Sequence, residues 1–372
     1  MPASAPTPDA SSNLCRLELR DVRLFVEAHL DLTAEATTVL TGANGSGKTT
    51  LLEAVAFLGS QRSFRTTARE ALVRDGEERA VIRARLEREA RPLLVESEVR
   101  ANGSARTLVN HNPVQGRAAL AEAVAVTVFS PDDLGLVQGP PARRREMMDA
   151  ALRVTDARAA ADLDAMDRIL RQRAALLRQA GGRLGPDVAA TLDVWDERLA
   201  TTGQAVSDAR HALLVQVAPA VSASYEALAG PGAAGAAVTM AYVPGWEGDL
   251  PEALASSRRE DVRRAASTVG PHRDEVVLAI ERRDARVRAS QGEQRSLALA
   301  LRLGFHRLVT ECRGAPPLLL LDDVFSELDP LRSRALVRHL PFGQALLTTA
   351  SVPPEGVDVG AVVDVETLGR RA

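Results

Sequence analysis

The spacing of apolar and polar positions divides the chain into segments of different character. Residues 15–25, CRLELRDVRLF, and 36–42, ATTVLTG, have the alternation and branched side chains of strands, and the second ends on Gly42. Leu51, Leu52, Val55 and Leu58 then recur at helical spacing. The pattern predicts a strand, a glycine-rich turn and a helix. From 79 to 128 short alternating segments follow (AVIRARLE, LLVESEVR, RTLVN, AVAVTVF), which predict a β-rich lobe with turns at Asn102-Gly103 and Asn112-Pro113.

Pro140 and Pro141 open a long helical region. Leu163, Met166, Leu170, Ala174 and Leu177 lie on one face, GGRLGPD breaks the chain, and Val188, Leu192, Trp195, Leu199, Thr202, Val206, Ala209 and Leu213 continue at alternating spacings of four and three. This predicts an antiparallel helical hairpin with a coiled-coil-like seam, its second helix about 40 Å long. After the loop GPGAAGAA come a short helix near 251–265, strands at DEVVLAI and ARVRAS, a helix over 294–310 and the apolar strand PLLLLDDVF. The expected organisation is a disordered tail (1–13, rich in Pro, Ala and Ser), then one discontinuous α/β domain in two parts (14–138 and 267–372) carrying an inserted helical arm (139–266).

Composition adds little except at one point. At 45% hydrophobic and 26% charged, the 372 residues have the balance of a soluble globular protein, and no run of 18 apolar residues suggests a membrane partner. Cys15 and Cys312 have no Cys or His neighbours at metal-ligand spacing and read as reduced thiols, which suits the cytoplasm. The net charge of −3 leaves nucleic-acid binding to local arginine clusters. Of 46 basic residues, however, only one is a lysine, Lys48. An Arg-rich chain that keeps one ammonium does so where a compact charge on a flexible stem is needed.

Lys48 lies in GANGSGKT, residues 42–49, which fits the P-loop pattern between a predicted strand and a predicted helix. Gly42, Ala43, Asn44, Gly45, Ser46 and Gly47 would curl backbone N–H groups around phosphates, Lys48 would reach the outer phosphates, and Thr49, followed by Thr50, would supply a hydroxyl to Mg²⁺. The strand PLLLLDDVFSELD ends in two carboxylates: Asp322 can reach Mg²⁺ through its water shell, and Asp323 can orient or deprotonate an attacking water. ATP and Mg²⁺ are the cofactors these residues call for. A third feature is SQGEQRSLALALRLG, residues 290–304, where Ser290 and Gly292 open a helix whose first N–H groups offer a second seat for an anion.

The order of these motifs resembles the head domain of ABC ATPases, and specifically the RecF family of DNA repair proteins, relatives of the SMC heads. FSPDDL at 129, GPPARRREMMD at 139, GPHRDE at 270, SQGEQRSLALALRL at 290 and LLLLDDVFSELD at 318 carry the resemblance. It implies an ABC-type α/β head with an inserted helical arm. It also implies an ATP-dependent homodimer in which Ser290 and Gly292 grip the γ-phosphate held by the other copy's P-loop, with Lys48 and Asp323 catalytic. Duplex or gapped DNA and proteins of the RecR and RecO families are the implied partners, and helping to load recombinase is the implied task. Two departures from the wider ABC pattern, Asp323 in place of Glu and no histidine in ALLTTAS, suggest slow hydrolysis. Gln61 and Gln138 both remain possible as the Q-loop residue.

Arg62, Arg65 and Arg69, and Arg143, Arg144 and Arg145, have the chemistry for duplex phosphates. With only 3% aromatic residues, stacking on single strands should not dominate. Two other readings stay open: the nucleotide-binding subunit of a transporter, and an ATP switch that scarcely hydrolyses.

Overall fold

The computed structural model describes residues 12–34, 36–114, 116–230, 235–340, 343–350 and 353–371. The tail expected over 1–13 lies outside them except for its last two residues, which begin the first strand. The strands are β1 (Ser12–Val22), β2 (Phe25–Asp31), β3 (Thr37–Thr41), β4 (Arg79–Arg88), β5 (Arg91–Arg100), β6 (Ala105–Val109), β7 (Asn112–Pro113), β8 (Val126–Phe129), β9 (Val238–Val243), β10 (Glu275–Ile280), β11 (Arg283–Asp284), β12 (Leu318–Asp322), β13 (Ala345–Thr348), β14 (Val359–Asp364) and β15 (Arg370–Arg371). The helices are α1 (Lys48–Ser60), α2 (Arg117–Ala123), α3 (Gly135–Gln138), α4 (Pro141–Thr155), α5 (Ala157–Gln179), α6 (Pro186–Ala229), α7 (Leu250–Arg264), α8 (Ala285–Arg288), α9 (Gln291–Arg313) and α10 (Pro330–His339).

They form two compact units, whose boundaries pass through α6 and α9. The first holds residues 1–133, 223–235 and 295–372, the second 134–222 and 236–294. In the first unit, a mixed-length antiparallel sheet runs β15-β2-β1-β4-β5-β6-β7, and a second sheet, wholly parallel, runs β14-β3-β13-β12-β8. Helix α1 contacts strands of both sheets, which is why its residues are buried almost all round, from Thr50 to Gly59. The parallel strands β12 and β13 are buried at every position, hence the unbroken LLLL run. Strands β3, β13 and β12 are adjacent and end together at Thr41, Thr348 and Asp322, so the P-loop and the acidic pair leave the same edge of the sheet. In open α/β sheets, that carboxyl-terminal edge is where ligands bind.

Several elements differ from the sequence reading. The segment 15–25 is a hairpin turn as well as a strand: β1 and β2 pair antiparallel around Arg23. Asp21 and Arg23 take positive φ there without Gly, Asn or Pro to signal it, and the turn is held by Arg74, which donates to Asp21 at 2.9 Å. The turn expected at Asn112-Pro113 lies at Asn110-His111, and Asn112-Pro113 is itself β7. AVAVTVF does not belong to the β-rich lobe, because Val126–Phe129 pairs in parallel with β12. ARVRAS is not a strand. The Asp284 side chain accepts from the N–H groups of Arg286 and Val287 and so caps the short helix α8.

The second unit contains the helical hairpin of α5 and α6, with α3, α4, α7 and α8, and the sheet β11-β10-β9. Helix α6 has 44 residues, so at 1.5 Å per residue it is about 66 Å long, well beyond the expected 40 Å. Its length and composition would allow a membrane crossing, yet Leu199, Val206, Leu213 and Val217 are buried as in a core helix. The seam is displaced at five of its places, while Leu163, Met166, Leu177, Leu192, Leu199, Val206 and Leu213 are buried as expected. Ile169 and Arg173 are buried rather than Leu170 and Ala174, and Asp196, Gly203 and Arg210 rather than Trp195, Thr202 and Ala209. Polar residues take these seam places because they satisfy one another. Arg173 bonds Asp196 at 2.9 Å and Asp261 at 2.7 Å, while Arg210 bonds Asp149 at 2.7 Å and Asp274 at 3.2 Å. Gly203 admits Pro271 of GPHRDE: a Cβ there would stand 2.9 Å from the proline ring.

Candidate nucleotide-binding site

The P-loop connects β3 to α1. Gly42, Gly45 and Gly47 have φ of 144°, 82° and 96°, values that L-residues rarely adopt. Crowding is decisive at Gly47, where a Cβ would stand 2.7 Å from two atoms of the Phe25 ring, and at Gly42, where it would stand 2.7 Å from Ser46 Oγ. Ala43, Asn44 and Gly45 are exposed, and Ser46, Gly47, Lys48 and Thr50 are buried. The Lys48 ammonium donates to the carbonyls of Gly42 at 2.7 Å and Ala43 at 2.9 Å, so it closes the loop on itself. Ser46 Oγ is buried without a hydrogen-bond partner among the described residues.

Thr49 Oγ1 donates to Asp322 Oδ1 at 2.8 Å, which brings together the two residues expected at the metal. Thr348, at the end of β13, donates to the same Oδ1 at 2.9 Å and accepts the Asp323 N–H at 2.9 Å. One hydroxyl therefore fixes both aspartates. Burial pushes the Asp322 carboxyl above its ordinary range, opposed by the two hydroxyls and by the nearby positive charge of Arg65. Asp323 takes a left-handed conformation, φ 47°, just before the turn Val324–Glu327, and its carbonyl accepts from the Ser326 hydroxyl at 2.7 Å. These residues fit Mg·ATP: a glycine cradle with a buried orphan hydroxyl, one ammonium, and a threonine–aspartate pair. No cage of three or more His, Cys, Asp or Glu is found among the described residues, as suits Mg²⁺ held mainly by phosphates and water.

The structure separates the arginines that the sequence grouped. Arg65 lies 3.5 Å from Glu53, a fully buried carboxylate of α1 that also makes a bidentate pair with Arg23 at 2.7 Å, and its charge reaches Asp322. Arg62 is exposed and Arg69 half-buried. In the second unit Arg144 is buried, which sets it apart from its exposed neighbour Arg143. Its guanidinium donates twice to Glu275 at 2.9 Å and to the carbonyls of Leu136 at 2.8 Å and Gly139 at 3.2 Å. Arg145 donates to the Asp274 carbonyl at 2.5 Å, and Arg143 is exposed.

The signature turn also lies in the second unit. Ser290 is exposed, its N–H donates to Glu293 Oε2 at 2.7 Å, and its Oγ accepts the Glu293 N–H at 3.3 Å, a reciprocal cap that starts α9 three residues earlier than expected. The Ser290 groups hold the Glu293 carboxyl below the usual range, with help from Arg283. Gln294 is buried. It donates to the carbonyls of Ala285 at 2.9 Å and Arg286 at 3.1 Å and accepts from Gln138 at 2.6 Å. The other Q-loop possibility, Gln61, ends α1 and donates to Thr107 at 3.0 Å. Thr348 and Glu53 were missed in the sequence, and Gln294, although inside the motif at 290–304, was given no role there.

The model of the RecF/RecN/SMC N terminal domain matches residues 13–345. The chain is 39% identical to the DNA replication and repair protein RecF of Kineococcus radiotolerans, over 92% of this chain and 94% of that protein. It is 38% identical to the RecF of Frankia alni, over 91% and 93%. A solved structure of the recombination mediator protein RecF with ATP, of the RecFOR pathway, superposes with a TM-score of 0.84 at 26% identity and covers 98% of both chains. An Smc head bound to the C-winged helix domain of ScpA shares the fold, at a TM-score of 0.52 and 14% identity. The fold is thus the ABC-type ATPase head with a helical insertion that the sequence suggested.

Proposed function

Because this chain belongs to the RecF family of DNA replication and repair proteins, we propose that two copies of it close on duplex or gapped DNA with ATP sandwiched between them, and that slow hydrolysis releases them. The carrying observation is a pair of features suited to phosphate, of different kinds. One is the P-loop with its aspartate pair. The other is the Ser290–Gly292 turn at the start of a 23-residue helix, with Ser290 exposed. In the sandwich the second seat serves the nucleotide of the other copy.

ATP supplies a γ-phosphate that gives the helix start a partner before hydrolysis and withdraws it afterwards. The chain's own residues divide the work. The P-loop amides and Lys48 hold the phosphates, Thr49 and Asp322 would hold Mg²⁺, and Asp323 orients or deprotonates the water. Asp323 is a shorter carboxylate than Glu and is fixed through its backbone by Thr348, which favours slow turnover and a timer rather than a motor. The solved relative is a recombination mediator of the RecFOR pathway, which supports RecR- and RecO-family partners and a part in recombinase loading.

Sizing the wild-type protein with ATP, with ADP, and with ATP plus duplex DNA tests the reading. A dimer should form with ATP only. Lys48→Met should abolish ATP binding, whereas Ser290→Arg should keep binding and lose the dimer; a Ser290→Arg protein that still dimerises overturns the trans assignment. Single-turnover hydrolysis by Asp323→Asn distinguishes a slow ATPase, which should stall, from a switch whose rate is already that of the variant.

A further inference from the structure

Exposed arginines stand beside the signature turn, with Glu281 and Asp284 among them, and exposed carboxylates stand beside the P-loop; most of these arginines and both of those carboxylates form no ion pair among the described residues. Beside the signature turn, Arg282, Arg286 and Arg288 are exposed and form no ion pair among the described residues; Arg283 pairs only with exposed Glu281, at 3.3 Å. The group is fixed to the turn, since Gln294, one turn into α9, holds the Ala285 and Arg286 carbonyls of α8. The field of Arg283 reaches Glu293 in the turn itself.

Beside the P-loop stand two carboxylates. Glu366 Oε1 accepts the Ala43 N–H at 3.1 Å, and the Glu366 N–H donates to Asp364 Oδ1 at 2.9 Å, which in turn lies 3.7 Å from where a Cβ of Gly42 would be. Both are exposed and neither is in an ion pair among the described residues. Two anions at the rim of a seat for a polyanion oppose its filling unless positive charge arrives with the ligand.

We propose that the arginines beside the signature turn dock on Asp364 and Glu366 beside the P-loop of a second copy of this chain, so that charge pairing at the rim steers and seals the ATP-bound dimer. The inference rests on the trans-sandwich reading above. In a two-fold dimer the contact occurs twice, arginine rim to acidic rim in each direction. Opposite charges of this exposed kind act on encounter and register, and their contribution falls with salt.

The test is a charge exchange, read by sedimentation with ATP at low and at physiological salt. Arg286→Glu/Arg288→Glu and Asp364→Arg/Glu366→Arg should each dimerise roughly tenfold or more less tightly than wild type, because like charges then face each other in both contacts. Mixing the two variants should restore dimers, since opposite charges return to the contact, and the quadruple variant should dimerise alone. Circular dichroism of the variants shows that each is folded. Homodimers of both charge-reversed variants at wild-type affinity, or no recovery on mixing folded variants, overturn the proposal. So does a defect of Arg286→Glu/Arg288→Glu that is confined to duplex DNA binding. A wild-type protein that stays monomeric with ATP instead defeats the sandwich itself.

Discussion

Arg144 decides between a reading of the sequence and a reading of the structure. If it contacts DNA, its removal leaves the fold intact and weakens DNA binding with a shallower dependence on salt. If it is the buried strut described above, Arg144→Met strands the Glu275 carboxylate and takes a donor from the Leu136 and Gly139 carbonyls. Removing one partner of a buried ion pair costs about 3–5 kcal/mol. The Glu275 side chain is 29% exposed, so water recovers part of its solvation and the lower end, about 3 kcal/mol, applies. Both tryptophans of the chain, Trp195 and Trp246, lie in the second unit, as does Arg144, so tryptophan fluorescence in urea follows the right part of the molecule. With a slope of roughly 2–3 kcal/mol per M, the midpoint should fall by about 1 M or more. Arg144→Met/Glu275→Met should lose less than Arg144→Met alone, because no charge is left stranded. An unchanged midpoint for Arg144→Met, with weaker duplex binding and a reduced salt slope, refutes the structural assignment.

Three further outcomes are expected. Gly47→Ala should cost roughly 1–3 kcal/mol and lose ATP binding, because its φ of 96° and the Phe25 ring at 2.7 Å both oppose a side chain; Gly45→Ala, with open space around it, should cost less by thermal unfolding. His306 is buried against Thr127 at 2.8 Å, and burial lowers its pKa from 6.5 to about 4, aided by Arg307. Below pH 6.5 the unfolded chain takes up the proton first, so stability falls as pH drops towards 4, by roughly 3 kcal/mol for this residue, and His306→Asn should flatten that part of the urea midpoint–pH curve. Glu293 holds the Ser290 N–H that an arriving phosphate needs, so Glu293→Gln, which keeps the cap and removes the charge, should tighten ATP-induced dimerisation several-fold in sedimentation; weaker dimerisation would falsify that competition.

The parts of the fold legible in the sequence were those in which one period governs a whole element. The apolar run of β12, which ends on Asp322, reads as a buried strand, and the spacing in α1 and α9 reads as helical. What was not legible depends on contacts made far along the chain. The β1–β2 turn has no Gly, Asn or Pro, and Arg74, 53 positions on, holds its Asp21 in place. In the seam of α5 and α6, Leu163, Met166, Leu177, Leu192, Leu199, Val206 and Leu213 are buried as their spacing predicts, but other places were read one residue off because the apolar template rejects Arg173, Asp196 and Arg210. Those residues are tolerated inside only where Asp261, Asp149 and Asp274, from other elements, complete their ion pairs.

The site shows the same division at shorter range. The P-loop could be read because its glycines, lysine and threonine act through one continuous backbone, and the Asp322-Asp323 pair because it ends an unmistakable strand. Thr348 could not, although it binds both aspartates, because a threonine at a strand end has no distinguishing pattern. Arg144 was grouped with its neighbours for the converse reason. A run of three arginines signals positive charge, but the helix that carries it turns successive residues by about 100°, so neighbours in sequence face different surroundings. Arg143 meets solvent, Arg144 meets Glu275, and Arg145 meets the Asp274 carbonyl. The single patch implied by the sequence therefore becomes three separate environments. By the same argument, Arg282, Arg286 and Arg288, spread over a turn and a short helix, matter for what their surroundings leave undone rather than for their number.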